Sequence, residues 1–183
     1  MRRILLFAVL LFSFCGAVDA RRTPGDSGGG RDSIRAAKEA ADSIDFMRAV
    51  EALDKKAFVL KIDRRIYEPR SKTWGCDPQT NFILLDGDNA IVQFRGQRPE
   101  NNDTFKCKAS EYEMTVKKRG DRFVKMKLKK GSVVIILSIT LMKDGNYCNA
   151  RLSGRSYYPR FTVTGSLYPL EDSDVYVGID WRG

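Results

Sequence analysis

The side chains able to do chemistry are 4 cysteines, 23 Asp or Glu and 32 Lys or Arg, and the chain has no histidine. That absence removes whole classes of mechanism. A Ser-His-Asp or Cys-His nucleophile, a histidine-ligated zinc or haem, and a neutral-pH imidazole switch all need the missing ring. The cysteines have no short metal-ligand spacing. Cys76 stands in Trp74-Gly75-Cys76-Asp77-Pro78, a loop with an aromatic ring and a thiol beside turn residues. As a site, that loop offers Cys76 as a reactive or intermolecular thiol, but no neighbouring residue lowers its pKa. As structure, Trp74 covers the open end of a core, and this is the preferred reading. Cys107 and Cys148 fall on inward positions, as buried apolar residues or as a disulfide pair.

The carboxylates offer little. Glu111 and Glu113 lie two apart on one strand face, as a glycosidase pair could, but lysines oppose both and nothing supplies a pocket. Glu171, Asp172 and Asp174 lack the alternating oxygen ligands and glycine turn of a calcium loop. Gly28-Gly29-Gly30 follows no strand, so it is no phosphate cradle. Asn102-Asp103-Thr104 is a glycosylation sequon, relevant only in a host that modifies it. No cofactor motif appears. The largest set of one chemistry is Lys106, Lys108, Lys117, Lys118, Lys125, Lys127, Lys129 and Lys130, on outward positions or strand ends. Such a face suits an anion: a lipid phosphate, an acidic glycan or an anionic headgroup. The competing reading is a solvated face that discourages aggregation. Nucleic acid fits poorly, because no aromatic rings interleave with the lysines.

The elements that must position these residues follow from hydrophobic periodicity. Residues 1–20 read as an export signal: Arg2 and Arg3, 11 apolar residues from position 4 to 14, then small residues. Eleven residues are too short for the roughly 20 of a membrane-spanning helix. Val18 and Ala20 satisfy the small-residue rule for cleavage after Ala20; lipid attachment at Cys15 is disfavoured by the bulky Phe14 before it. Removing Arg2, Arg3 and Asp19 lowers the net charge from +9 to +8 over 163 residues. The mature chain keeps three cysteines, so at least one lacks an internal partner. Residues 21–32 read as a flexible Pro- and Gly-rich linker.

Residues 33 to about 54 read as a helix with Asp32 or Ser33 as N-cap. Its apolar stripe drifts: Ile34, Ala37, Ala41 and Ile44 share one face, Phe46, Val50, Leu53 and Ala57 another. From 57 onward the period is two. Strands are expected over 58–63, 82–85, 90–94, 104–109, 112–116, 124–128, 133–141, 148–152 and 160–168. Strands 82–85 and 90–94 are apolar on both faces, which asks for an outer cover, and the helix is the expected one. Residues 133–137 are equally two-faced and read as a central strand covered on both sides.

Two hairpins can be registered from side chains. Tyr112, Met114 and Val116 share a face with Val124, Met126 and Leu128 if Val116 opposes Val124 across an Arg119-Gly120-Asp121 loop. That register sets Glu113 against Lys127 and Glu111 against Lys129. Leu137, Ile139 and Leu141 meet Leu152, Ala150 and Cys148 only if Asp144-Gly145 forms a two-residue turn, expected as type I′. The architecture is then α+β and mainly antiparallel: one N-terminal helix packed on a meander of about eight strands, as a barrel or a sandwich. The domain spans 33–170. Residues 171–183 form an extension in which Val175, Val177 and Ile179 are candidates for a last edge strand.

With the export signal, the Ala-rich helix running into Phe58-Val59-Leu60, Asn81-Phe82-Ile83-Leu84-Leu85-Asp86-Gly87-Asp88, Ala90-Ile91-Val92-Gln93-Phe94 and Thr164-Gly165-Ser166-Leu167, residues 33 to 170 resemble a bacterial envelope family known as domain of unknown function 4251. The resemblance implies an exported α+β domain and carries no catalytic residue, cofactor or substrate. The expected function is a non-catalytic envelope protein, binding a ligand in a β cavity or on the lysine face. The alternative is a structural protein that binds a protein partner through an edge strand or the helix. No nucleic-acid partner and no transmembrane span in the mature chain are expected.

Overall fold

The computed structural model describes residues 29–67, 72–95, 102–154 and 160–177. The expected export signal, the expected linker up to residue 28 and the last six residues lie outside them. Helix α1 (Gly29–Asp54) is followed by β1 (Ala57–Tyr67), β2 (Lys72–Gly75), β3 (Phe82–Asp86), β4 (Asn89–Arg95), β5 (Asn102–Val116), β6 (Arg122–Lys130), β7 (Val133–Leu141), β8 (Tyr147–Gly154) and β9 (Phe161–Pro169). All neighbouring strands are antiparallel, and β9 returns to pair with β1 over its whole length. Eight strands therefore close a barrel, with β2 as a ninth strand. The open choice between barrel and sandwich resolves to a barrel because a nonlocal pairing joins the first and last strands.

The barrel interior is filled by the alternate residues of each strand. Phe58, Leu60 and Ile62 of β1 meet Ile83 and Leu85 of β3, then Val92, Val124, Met126, Leu128, Leu137, Ile139, Leu152 and Val163. Most are fully buried, so no ligand-sized space runs down this axis, as expected when eight strands enclose side chains alone.

Helix α1 does not lie over the outer face of β3 and β4. It crosses one open end of the barrel and inserts Ala49, Ala52 and Leu53 into the same core as the strand interiors. Tyr112 donates its hydroxyl to the Leu53 carbonyl at 2.8 Å, a second bond beside the one that this oxygen accepts from the Lys56 amide, and so ties the helix C-terminus to β5. The Arg122 guanidinium lies 5.6 Å from the Phe46 ring. The inner stripe is the second of the two in the sequence; the first remains outside, with Ile34 72% and Ile44 54% exposed. The helix also begins at Gly29, four residues earlier than the reading of 33 and inside the expected linker.

The outer cover of β1, β3 and β4 is the C-terminal segment. After a 3-10 turn at Leu170–Asp172, residues 173–177 run as irregular chain rather than an edge strand. The Tyr176 amide donates to the Gln79 carbonyl at 2.9 Å. The buried Gln93 amide nitrogen donates to the Tyr176 and Thr80 carbonyls, while its oxygen accepts from Thr104. Asp174 forms an ion pair with Lys61. Val59 and Phe82 are thereby fully buried although they alternate with the barrel's interior positions. Strand β7 has no such cover: its outward Ile136 is 36% exposed and Val134 only half-buried, so it is not sheltered on both sides.

The β7–β8 register is as expected, with Leu137 opposite Leu152, Ile139 opposite Ala150 and Leu141 opposite Cys148. Only Gly145 of the turn has positive φ, +112°, so the turn is not type I′, which needs it at both central residues. The β5–β6 register has the expected parity but is shifted by two: Met114, not Val116, faces Val124. Val116 is left exposed at the strand end. The expected strands 104–109 and 112–116 are one strand bent by a bulge between Ser110 and Glu113, where Glu111 takes φ +52°. Glu113 consequently opposes Lys125, and Glu111 forms its 2.6 Å ion pair with Lys127. The charges pair as oppositely signed neighbours, with different partners.

Candidate functional site

Two places bring together the residues singled out in the sequence. On the barrel's outer face, Lys106 and Lys108 of β5 and Lys125, Lys127 and Lys129 of β6 all point outward from adjacent strands. Along each strand they are two residues apart, roughly 7 Å. Lys108 stands directly opposite Lys129, a like-charge pairing that costs stability. The Lys108 ammonium turns away to the Asn89 side-chain oxygen at 2.7 Å. Of these five, only Lys127 has an ion-pair partner among the described residues. Next to the row, Lys127 and Lys129 neighbour Ile136 and Val134 on β7, an apolar margin in which Ile136 is exposed and Val134 half-buried. Lys117 does not join the row. It sits beyond the end of β5, with its ammonium 4.8 Å from the Phe123 ring and 3.4 Å from the Thr140 hydroxyl.

The second place is the barrel end opposite the helix. Strand β1 carries a bulge between Ile62 and Arg64. Uninterrupted alternation after Ile62 would turn Arg64 inward; the extra residue, Asp63, turns Arg65 and Tyr67 inward instead. The bulge is held on both sides. Asp63 accepts hydrogen bonds from the Thr164 hydroxyl at 2.8 Å and the Tyr147 hydroxyl at 3.1 Å, and its carbonyl accepts from the Cys76 amide at 2.8 Å. Across from it, a Cβ on Gly165 would overlap the Lys61 carbonyl, so only glycine permits this approach.

The Trp74 loop is explained by the same ladder. β2 and β3 both pair with the same edge of β1, and residues 76–81 are an excursion between them. Asp77 organises it: its carboxylate accepts from the Gln79 amide and Thr80 hydroxyl, and its carbonyl from the Asn81 amide. Trp74 opposes Arg65 and so faces the barrel mouth, where a covering role placed it. The Arg65 guanidinium carbon lies 5.5 Å from the Trp74 ring centre, 5.2 Å from Phe94 and 5.3 Å from Phe161. Phe161 packs in turn on Tyr67 at 5.6 Å and on Phe94 at 5.8 Å. Arg65 Nε is buried with no hydrogen-bond partner. Trp74 and Cys76 were readable from their loop but Arg65 was not, since nothing in Asp63-Arg64-Arg65 marks a bulge.

The thiols are not activated. Cys76, Cys107 and Cys148 are all free, so the disulfide alternative is not what forms; the last two lie on β5 and β8, with two strands between them. Burial raises the Cys76 thiol above its ordinary value, only partly countered by Arg65 nearby. Burial, partly countered by the Lys130 charge, pushes Cys107 up to about 12, and burial raises Cys148 as well. Among the described residues, no three of Cys, Asp and Glu are grouped to hold a metal. No described helix is long and apolar enough to cross a membrane.

No protein-family model and no curated protein matches the chain. Among solved structures, a crystal structure of a DUF4251 family protein from Bacteroides eggerthii is similar, with a TM-score of 0.65, 23% identity, and 78% of this chain and 99% of that one covered. At that identity the likeness establishes the fold. It agrees with the family resemblance carried by the 81–94 hairpin and the 164–167 strand.

Proposed function

We propose that this is an exported, non-catalytic envelope protein that docks its β5–β6 face on anionic lipid headgroups. The observation that carries the reading is the lysine row itself. Five outward lysines share two adjacent strands, two of them directly opposed, and Ile136 and Val134 flank them on the next strand. Cations beside exposed aliphatic side chains suit a surface of phosphates over acyl chains. The filled interior moves binding to the outside of the barrel. Export rests on residues 1–20, with cleavage after Ala20, and lipidation at Cys15 as the less favoured route.

Vesicles of phosphatidylcholine, with and without phosphatidylglycerol, test it by co-sedimentation. Binding is expected only to the anionic vesicles, weakening as salt rises. At about 1 kcal/mol per lysine near such a surface, changing Lys106, Lys108 and Lys129 together to Gln should weaken binding roughly a hundredfold. Equal binding to both vesicles, or an unchanged triple variant, refutes the proposal. Binding to a soluble acidic glycan with none to vesicles would transfer the site to a polysaccharide and refute the lipid version.

A second reading is favoured by one observation. The projecting half of α1 leaves the stripe of Ile34, Ala37, Ala41 and Ile44 exposed, as a protein partner would need. Barrel closure meanwhile withdraws most strand edges, leaving the four-residue β2. In-cell cross-linking from position 37 yields a discrete protein adduct if this reading holds, and none if it does not.

A further inference from the structure

We propose that the barrel end opposite the helix is a binding site for an organic carboxylate with an apolar body, with Arg65 as the anion contact. This rests on observations independent of the lysine row. Arg65 points into the barrel mouth from a bulge, and aromatic rings of Trp74, Phe94 and Phe161 surround its guanidinium at 5.2–5.5 Å. Those ring faces stabilise a cation but accept none of its five N–H bonds in the plane of the fork. Its Nε is buried and unpaired, and among the described residues no carboxylate forms an ion pair with it.

A buried donor without an acceptor destabilises the fold, and an arginine serving only as a wall could be replaced by an apolar residue without that cost. A surface arginine would extend its charge into water. Arg65 does neither: it is half-buried among three rings, and a guanidinium fork matches two parallel hydrogen bonds to a planar oxygen pair. A carboxylate supplies that pair, and Tyr67, Trp74, Phe94 and Phe161 supply walls for an apolar body. Binding would order rather than open the mouth, since the rings already contact one another.

The test is fluorescence titration of the full mature chain carrying Trp181→Phe, so that Trp74 alone reports. Laurate below its micellar concentration is the probe, with dodecyltrimethylammonium as the control of equal chain and opposite charge. Laurate should give a saturable change in Trp74 emission and dodecyltrimethylammonium none. Arg65→Met should weaken laurate at least tenfold, Arg65→Lys less, and the Lys106, Lys108 and Lys129 triple variant not at all. Thermal melting shows whether each variant is folded. Should Arg65→Met not fold, Trp74→Leu, read by calorimetry, is expected to weaken laurate several-fold. No saturable response, equal responses to the two probes, or an unchanged Arg65→Met overturns the site. So does a Glu68→Gln, Glu100→Gln double variant that loses as much melting temperature as Arg65→Met, because Arg65 would then be held by the chain's own acids.

Discussion

The two ends of the barrel solve one problem in opposite ways. At the helix end, Ala49, Ala52 and Leu53 complete the apolar core, and Tyr112 adds a hydrogen bond to the Leu53 carbonyl. At the other end the plug is a guanidinium among rings, with a buried donor unpaired. Closing a barrel asks only for apolar volume, and the helix supplies it. A charge in the corresponding place adds a desolvation cost with no gain to folding. Burial and paired polar groups mark the helix end as a stabilising one, and the unmet donor is what sets the arginine end apart from it.

The largest effect that could break this contrast is expected at Leu53. Truncating this fully buried side chain to Ala should cost about 3 kcal/mol through lost burial and a cavity. Trp74→Ala at the other end should cost less than half of that, since Trp74 is only partly buried. Urea denaturation of both variants decides. Equal losses would make both ends structural and erase the difference.

Gly165→Ala comes next and sharpens the comparison by acting on the bulge that aims Arg65. The new Cβ would overlap backbone, approaching Ile62 Cα to 2.9 Å, which no side-chain rotation relieves. Overpacking of this kind costs about 2–3 kcal/mol. If β1 escapes by losing its bulge, Arg64 replaces Arg65 in the mouth, and laurate affinity falls in a chain that still folds. A variant as stable as the parent would mean that the seam between β1 and β9 is not fixed by this glycine.

How much of this was legible follows from which signals are local. The interior residues of β6, β7 and β8 could be named from alternation, and the β7–β8 register from parity plus a two-residue turn. Alternation survives within a strand but says nothing of distant partners. Hence the pairing of β1 with β9, which makes the sheet a barrel, was invisible. Bulges fail for a related reason: one extra residue at Asp63 or Glu111 leaves no compositional trace yet reverses every face beyond it. The shift by two in the β5–β6 hairpin came from reading a three-residue loop where the strands part earlier, after Val116. The outer face of β3 and β4 did announce a cover, and the cover was misassigned because α1 was the only amphipathic element in view. Lysine positions survived because they depend on parity alone. Arg65 did not, because its direction depends on the bulge.

Smaller, at about 1 kcal/mol, is Tyr112→Phe at the helix end, which removes one of the two hydrogen bonds to the Leu53 carbonyl and leaves it the Lys56 amide. Chemical denaturation should show that loss with no change in laurate affinity, since the hydroxyl lies on the far side of the core from Arg65. A change in affinity would mean that the two ends are coupled through the packed interior.

The smallest effect reads the arginine end through its neighbour. Cys76 is partly buried and packs against the core; burial raises its pKa, while the Arg65 charge pulls it down. Thiolate is the reactive form, so at pH 8 iodoacetamide should label Cys76 more slowly than a free thiol. Cys107 and Cys148 should label only on unfolding, because both are buried and raised further. Removing the cation by Arg65→Met takes away the one influence favouring the Cys76 thiolate, so labelling should slow again. Bound laurate would partly neutralise the guanidinium and should slow the parent in the same direction, leaving Arg65→Met unaffected. Mass spectrometry of labelled peptides over time separates these cases. Labelling of Cys76 that is indifferent to both the substitution and laurate would place Arg65 and the thiol in separate environments, against the mouth geometry on which the contrast between the two ends depends.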